Sequence, residues 1–153
     1  MKILYICTHN RCRSILAEAV TNAFGKNLIT AASAGSEPAG EIHPQTLECL
    51  EQNHIPTTPL YSKSWDAMEG FEADFIITVC DSAAGESCPV WFGNSQRIHW
   101  SVKDPSTITG PKEEIEQAFQ HTFELIKMRV QALIPLINQD AARTELINKM
   151  NSF

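Results

Sequence analysis

The sequence predicts an α/β fold: a four-stranded parallel sheet flanked by helices on both faces. Three observations point there. Short apolar runs alternate with segments of helical periodicity from one end of the chain to the other. Two of the runs, Lys2–Ile6 and Ala73–Val79, are continuously apolar at their centres, as strands are when both sheet faces are covered. The length, 153 residues, suits a single domain, residues 1–153.

Each element has its own reason. Lys2–Ile6 is a strand that runs into a polar loop, Cys7–Arg13. Ser14–Phe24 follows as a helix, because Ile15, Ala19, Val20 and Phe24 recur at helical spacing, and Gly25 closes it. Leu28–Ser33 is the second strand, ended by Gly35 and the turn-rich stretch Ser36–Gly40. Pro44–Gln52 is the second helix, with Leu47 and Leu50 on its apolar side, and Pro56 and Pro59 mark the loop beyond it. Ser64 is placed to cap a short helix reaching Gly70. Ala73–Val79 is the third strand. Asp81–Ser95, with two glycines and Pro89, reads as a long loop or a frayed helix, and Arg97–Trp100 is the fourth strand. The longest helix carries Ile115, Phe119, Phe123, Ile126, Val130, Leu133 and Ile137 at steps of three and four, and Pro135 is expected to kink or end it. Gln139–Met150 reads as a short extra helix, and residues 139–153 as a peripheral C-terminal extension.

Composition narrows the function. Twelve basic against eighteen acidic residues give a net charge of −6, which argues against a nucleic-acid surface while leaving room for a local basic pocket. No apolar run approaches the roughly 18 residues of a membrane span, and Ile3–Cys7 is too short for a signal-peptide core. Five cysteines, at 7, 12, 49, 80 and 88, are an odd number and include no C-x2-C pair. The expectation is free thiols in a reducing cytoplasm, with neither a disulfide framework nor a metal.

The chemistry concentrates in Cys7-Thr8-His9-Asn10-Arg11-Cys12-Arg13-Ser14, between a buried strand and a helix start. A tight loop in that place turns successive backbone N–H groups inward at the positive end of a helix, forming an anion nest. Arg13 adds a planar two-pronged donor for a tetrahedral oxyanion. The same field is expected to lower the Cys7 pKa and give a thiolate at neutral pH. Ser14 can donate a hydrogen bond to that thiolate. Asn10 tolerates a left-handed backbone and can brace the loop through its side chain. The plainer alternative is a buried cysteine beside two solvated arginines. The strand before, the helix after, Asn10 and Ser14 favour an oxyanion cradle formed by residues 8–14, with Arg11 a rim charge that draws anions in.

On these residues the chain resembles the low-molecular-weight tyrosine phosphatase family, whose first loop usually reads C-x-G-N-x-C-R-S. Ser33-Ala34-Gly35 and Asp104-Pro105 match as well. Within the family it is more similar to the thiol-dependent arsenate reductases than to the phosphatases. Thr78-Val79-Cys80-Asp81 followed by Cys88-Pro89 resembles the segment with their extra redox cysteines, and His99-Trp100…Asp104-Pro105 resembles their H-W-x-x-x-D-P. The tyrosines that follow Asp-Pro in the phosphatases are replaced by Ser106-Thr107. Two departures stand out. His9 occupies a place where glycine is commoner, which narrows the pocket mouth, and the Cys80–Cys88 loop is one residue longer than in thioredoxin-coupled members.

The resemblance implies reduction of arsenate to arsenite. Cys7 attacks arsenic with Asp104 as general acid, Cys80 then attacks Cys7 sulfur and releases arsenite, and Cys88 takes over the disulfide. It also implies that no cofactor is bound and that an external thiol, thioredoxin or glutathione with glutaredoxin, supplies electrons. A phosphatase using Cys7, Arg13 and Asp104 is the alternative reading. Some reductases of the family bind potassium near the loop asparagine. Asn10, Glu18 and Ser33 match that site here, and Lys63 stands where the remaining carboxylate would be, so that its ammonium could replace the ion; the plain alternative is an exposed loop lysine. Cys12 and Cys49 read as structural, and Trp65, Trp91 and Trp100 as packing residues.

Overall fold

The computed structural model describes residues 1–85, 92–93 and 95–153. Its framework is a four-stranded, wholly parallel sheet of β1 (Lys2–Ile6), β2 (Thr30–Ala34), β3 (Phe75–Thr78) and β4 (Gln96–His99), in the order β2-β1-β3-β4. The expected fold class is observed. Helices α1 (Arg13–Phe24), α2 (Pro44–Gln52), α3 (Asp81–Ala84), α4 (Lys112–Asn138) and α5 (Arg143–Asn151) complete it, with 3-10 helices at Trp65–Phe71 and Pro105–Thr107.

The apolar run of β1 explains its place. Ile3, Leu4, Tyr5 and Ile6 are all fully buried, because β1 pairs on both edges and is covered on both faces. From β1 the chain crosses to β2 on one side, and then to β3 on the other. The strand order therefore reverses at β1, and the crevice beyond its carboxyl end is where such sheets bind ligands. Cys7 is the first residue there.

Several boundaries shift for identifiable reasons. β2 starts at Thr30 rather than Leu28, because Lys26 and Asn27 adopt left-handed backbone angles and Leu28 N–H turns back to the Gly25 carbonyl. Gly25 does end α1, yet with φ −71° it is no left-handed cap. It is glycine because a Cβ there would lie 2.5 Å from the Thr21 carbonyl oxygen. Ser64 caps its 3-10 helix as expected, accepting from Asp66 N–H. Pro135 does not end α4, which runs on to Asn138, although proline removes one helical N–H bond there. Residues beyond α4 pack on the sheet, for Met150 is fully buried, its carbonyl accepts from the Trp100 indole N–H at 3.1 Å, and the Phe153 ring meets Trp100 edge-on. No helix among the described residues is long and apolar enough to cross a membrane.

Candidate active site

The Cys7–Arg13 loop turns its carbonyls outward, and the chain after β2 receives them. Thr8, His9 and Arg11 carbonyls accept from the N–H groups of Glu37, Ala39 and His43, each at 2.9 Å. With the carbonyls engaged outside, the N–H groups face in, and those of Asn10 and Ser14 reach the Cys7 sulfur. No side chain caps the start of α1, so its amide end stays open to an anion. Gly35 makes this crossing possible. A Cβ at that position would stand 2.5 Å from the Thr8 oxygen, 2.9 Å from the Cys7 oxygen and 3.0 Å from the Asn10 nitrogen.

Asn10 is the loop's left-handed residue, with φ 44°, so the side chain of His9 is accommodated without strain. The Asn10 amide is fully used. Its two N–H bonds go to Ser14 Oγ and Ser33 Oγ, both at 2.9 Å, and its Oδ1 accepts from Lys63 N–H at 2.8 Å. Ser14 Oγ lies 2.8 Å from Cys7 Sγ. Because that oxygen accepts from Asn10, its own proton is free to point at sulfur. Ser33 Oγ donates to Glu18 Oε2 at 2.5 Å, and Lys63 Nζ donates to the same oxygen at 3.3 Å and to the Tyr61 carbonyl at 3.2 Å. The ammonium also sits 4.5 Å from the centre of the Tyr61 ring. A buried chain thus runs from Lys63 through Glu18, Ser33, Asn10 and Ser14 to Cys7.

Arg13 is held from three directions: Nη1 donates to the carbonyls of Val102 at 3.1 Å and Val79 at 3.5 Å, and Nη2 pairs with Asp104 Oδ2 at 2.9 Å. The other Asp104 oxygen accepts from Ser106 N–H and Oγ–H, which fixes the carboxylate at the start of the 3-10 turn. A cavity of about 280 Å³ opens between these groups. Cys7 and Cys80 share its wall, with Arg11, Arg13 and Asp104 around them. Cys80 Sγ accepts from Ala83 N–H at 3.4 Å and lies 3.7 Å from Thr8 Oγ1.

One expectation is corrected. Burial pushes the Cys7 thiol above its ordinary value; the Ser14 hydroxyl and the Ser14 and Asn10 amides act in the expected downward direction but are outweighed. Burial likewise pushes Cys12 up to about 12 and Cys49 up to about 11. Both are buried, in keeping with structural roles. Trp100 is a core residue and Trp65 packs edge-on against Phe92. Cys88 and Trp91 lie outside the described residues. Sequence reasoning missed His43, whose ring caps α2 and lies tilted against Phe119 and whose backbone N–H bonds the Arg11 carbonyl; the His-Pro pair at 43–44 was the available signal. Among the described residues no group of three or more His, Cys, Asp or Glu side chains could hold a metal ion.

Comparison with known proteins agrees with this geometry. A family model, low molecular weight phosphotyrosine protein phosphatase, matches residues 2–144. An arsenate reductase of Shouchella clausii is 33% identical over 134 residues, covering 84% of this chain and 92% of the relative. The crystal structure of an arsenate reductase from Archaeoglobus fulgidus is similar with a TM-score of 0.70 at 25% identity, covering 87% of this chain and 98% of the other. A thioredoxin-dependent arsenate reductase of Corynebacterium glutamicum is similar with a TM-score of 0.64 at 27% identity, over 91% of this chain and 62% of that one.

Proposed function

Because the chain belongs to the low-molecular-weight phosphotyrosine protein phosphatase family, we propose that its oxyanion cradle serves arsenate and that the chain reduces arsenate to arsenite. The observation that carries this reading is a second thiol, Cys80, on the wall of the same cavity as Cys7. Phosphoryl transfer needs one nucleophile, whereas a two-electron reduction by thiols needs two.

The cradle receives arsenate as it would any tetrahedral oxyanion, through inward N–H groups, the open end of α1 and Arg13. Cys7 enters as a buried thiol and gives its proton to the incoming dianion. Its sulfur then bonds to arsenic, and the departing oxygen leaves as water with a proton delivered by Asp104, which takes that proton up from solvent once the oxyanion displaces it from Arg13. Cys80 sulfur attacks Cys7 sulfur. The S–S bond forms as the S–As bond breaks, and the electron pair stays on arsenic, which falls from As(V) to As(III). In total, arsenic acid and two thiols give arsenous acid, a disulfide and water.

The Cys7–Cys80 disulfide must be cleared by a further thiol. Cys88 is assigned that step, followed by an external donor, thioredoxin or glutathione with glutaredoxin; the relative from Corynebacterium, which is thioredoxin-dependent, favours the first. Such a cycle belongs in a reducing cytoplasm and amounts to detoxification of arsenic. Asn10, Ser14, Ser33, Glu18 and Lys63 are assigned to support of the loop, and Thr8, His9, Arg11 and Cys12 to its wall.

The test measures arsenite formation with each donor system supplied separately, alongside Cys7→Ser and Cys80→Ser. Both variants should lose arsenate reduction. Cys80→Ser should retain phosphate binding, seen as protection of Cys7 against iodoacetamide. Continued arsenite production without Cys80, together with efficient hydrolysis of an aryl phosphate, would move the chain to the phosphatases.

A further inference from the structure

Cys80 owes its place to a short segment. It precedes α3, which has four residues, and its sulfur bonds the Ala83 N–H of that turn. Something must hold the turn against the sheet for the sulfur to face the cavity. Asp81, the first residue of α3, is exposed, with 90% of its side-chain surface accessible. Its carboxylate nonetheless has a defined partner, for Oδ1 lies 3.0 Å from His99 Nε2. His99 ends β4 and is the register partner of Thr78, which ends β3 two residues before Cys80. The other ring nitrogen, Nδ1, lies 2.9 Å from Thr78 Oγ1. One imidazole thus bridges the residue two before Cys80 and the residue just after it.

The bridge is satisfied in either protonation state. An ionised carboxylate only accepts, so Nε2 carries a proton toward Asp81. In the neutral ring Nδ1 accepts from the Thr78 hydroxyl. In the charged ring Nδ1–H donates to Thr78 Oγ1, whose own proton can turn to the Ile98 carbonyl at 3.5 Å. His99 is not among the residues that line the cavity, so its effect on the chemistry acts through its partners Asp81 and Thr78.

We infer that His99 is a positioning residue for Cys80, which clamps the Asp81 turn between Thr78 and the end of β4 so that the Cys80 sulfur faces Cys7. The inference rests on the reading of Cys80 as second nucleophile. It concerns the step in which the Cys80–Cys7 S–S bond forms, the Cys7–As bond breaks and arsenic takes the electron pair. Oxyanion binding and the first attack, by Cys7, require neither His99 nor Asp81.

The test is a single turnover of the full chain without any donor thiol. Arsenite is followed with time together with the disulfide that Cys80 enters, first with Cys7 and then with Cys88 where Cys88 takes it over, and phosphate protection of Cys7 against iodoacetamide reports on the loop. His99→Phe should slow arsenite release at least tenfold with phosphate protection unchanged within twofold. Asp81→Ala should do the same, and as a substitution of an exposed side chain it keeps the test open where His99→Phe folds poorly. His99→Gln, whose amide N–H reaches Asp81, and Asp81→Asn, whose Oδ1 still accepts, should restore most of the rate. Arsenite release at the wild-type rate in His99→Phe or Asp81→Ala would overturn the inference, as would equal loss of phosphate protection and release. A Cys80→Ser enzyme that still releases arsenite would instead overturn the reading of Cys80 itself.

Discussion

Arg13 Nη2 donates to Asp104 Oδ2 at 2.9 Å, joining the arginine of the oxyanion loop to an acid 91 residues further along the chain. The two groups assigned to the substrate in the proposed mechanism therefore hold one another. On the proposed mechanism, an oxyanion entering the cradle competes with Asp104 for the guanidinium, which would tie binding of the substrate to release of the acid.

Removing the competitor should separate binding from chemistry. In Asp104→Ala the guanidinium is shared with no carboxylate, so inorganic phosphate should bind more tightly, by roughly two- to fivefold for a partly exposed pair. The first chemical step should slow by roughly 10²–10⁴-fold through loss of the general acid. Phosphate inhibition constants and single-turnover rates measure the two effects. Weaker phosphate binding together with an unchanged rate would make Asp104 a turn residue that merely orders Arg13.

Ser14 is positioned to lower the Cys7 pKa against burial. In Ser14→Ala the downward influence is lost, and the thiol moves further up. At any pH below its midpoint the thiolate fraction then falls, so the pH profile of Cys7 alkylation by iodoacetamide should shift to higher pH than in the wild type. Mass mapping of the alkylated cysteine keeps Cys80 out of the measurement. An unshifted profile would show that the hydroxyl serves only Asn10.

Gly35 governs the loop from outside it. A methyl group at 35 meets three backbone atoms of residues 7–10 at 3.0 Å or less, none of which belongs to a flexible side chain. Gly35→Ala should cost roughly 1–3 kcal/mol of stability and reduce arsenate turnover more than tenfold. Thermal unfolding and kcat/KM read the two together. A stable, active Gly35→Ala enzyme would mean that the loop can lift away from β2 without consequence.

How much of this was legible beforehand divides by distance along the chain. The Cys7–Ser14 loop was readable because its ingredients are local: a buried strand, a left-handed asparagine and a helix start lie within a dozen residues. The sheet was readable because β1 and β3 carry continuous apolar runs. Burial of Cys7 was not, since it comes from the packing of distant segments, and it reversed the expected direction of the thiol's shift. The Arg13–Asp104 pair and the close approach at Gly35 were equally invisible, because each joins segments that only the folded sheet brings together. Thr78, Asp81 and His99 stood out only as letters of motifs. That one ring bridges the other two follows from the register of β3 with β4.

Lys63 offers the last test, since its ammonium stands at the far end of the chain of bonds that reaches Cys7. Its side chain is 6% exposed and that of Glu18 14%, so the pair is nearly dry. Removing one member leaves an unpaired buried charge, which costs roughly 3–5 kcal/mol, while removing both costs far less. Lys63→Met should therefore be strongly destabilised, and Lys63→Met with Glu18→Gln should recover much of the loss. Lys63→Ser asks the sharper question. It vacates a place lined by Glu18 Oε2 and the Tyr61 carbonyl, oxygen ligands that suit a monovalent cation. In that variant potassium chloride should raise Tm and arsenate turnover above choline chloride at equal ionic strength, while the wild type should respond alike to both. A Lys63→Ser enzyme indifferent to potassium, and as active as the wild type, would remove Lys63 from the support of the loop.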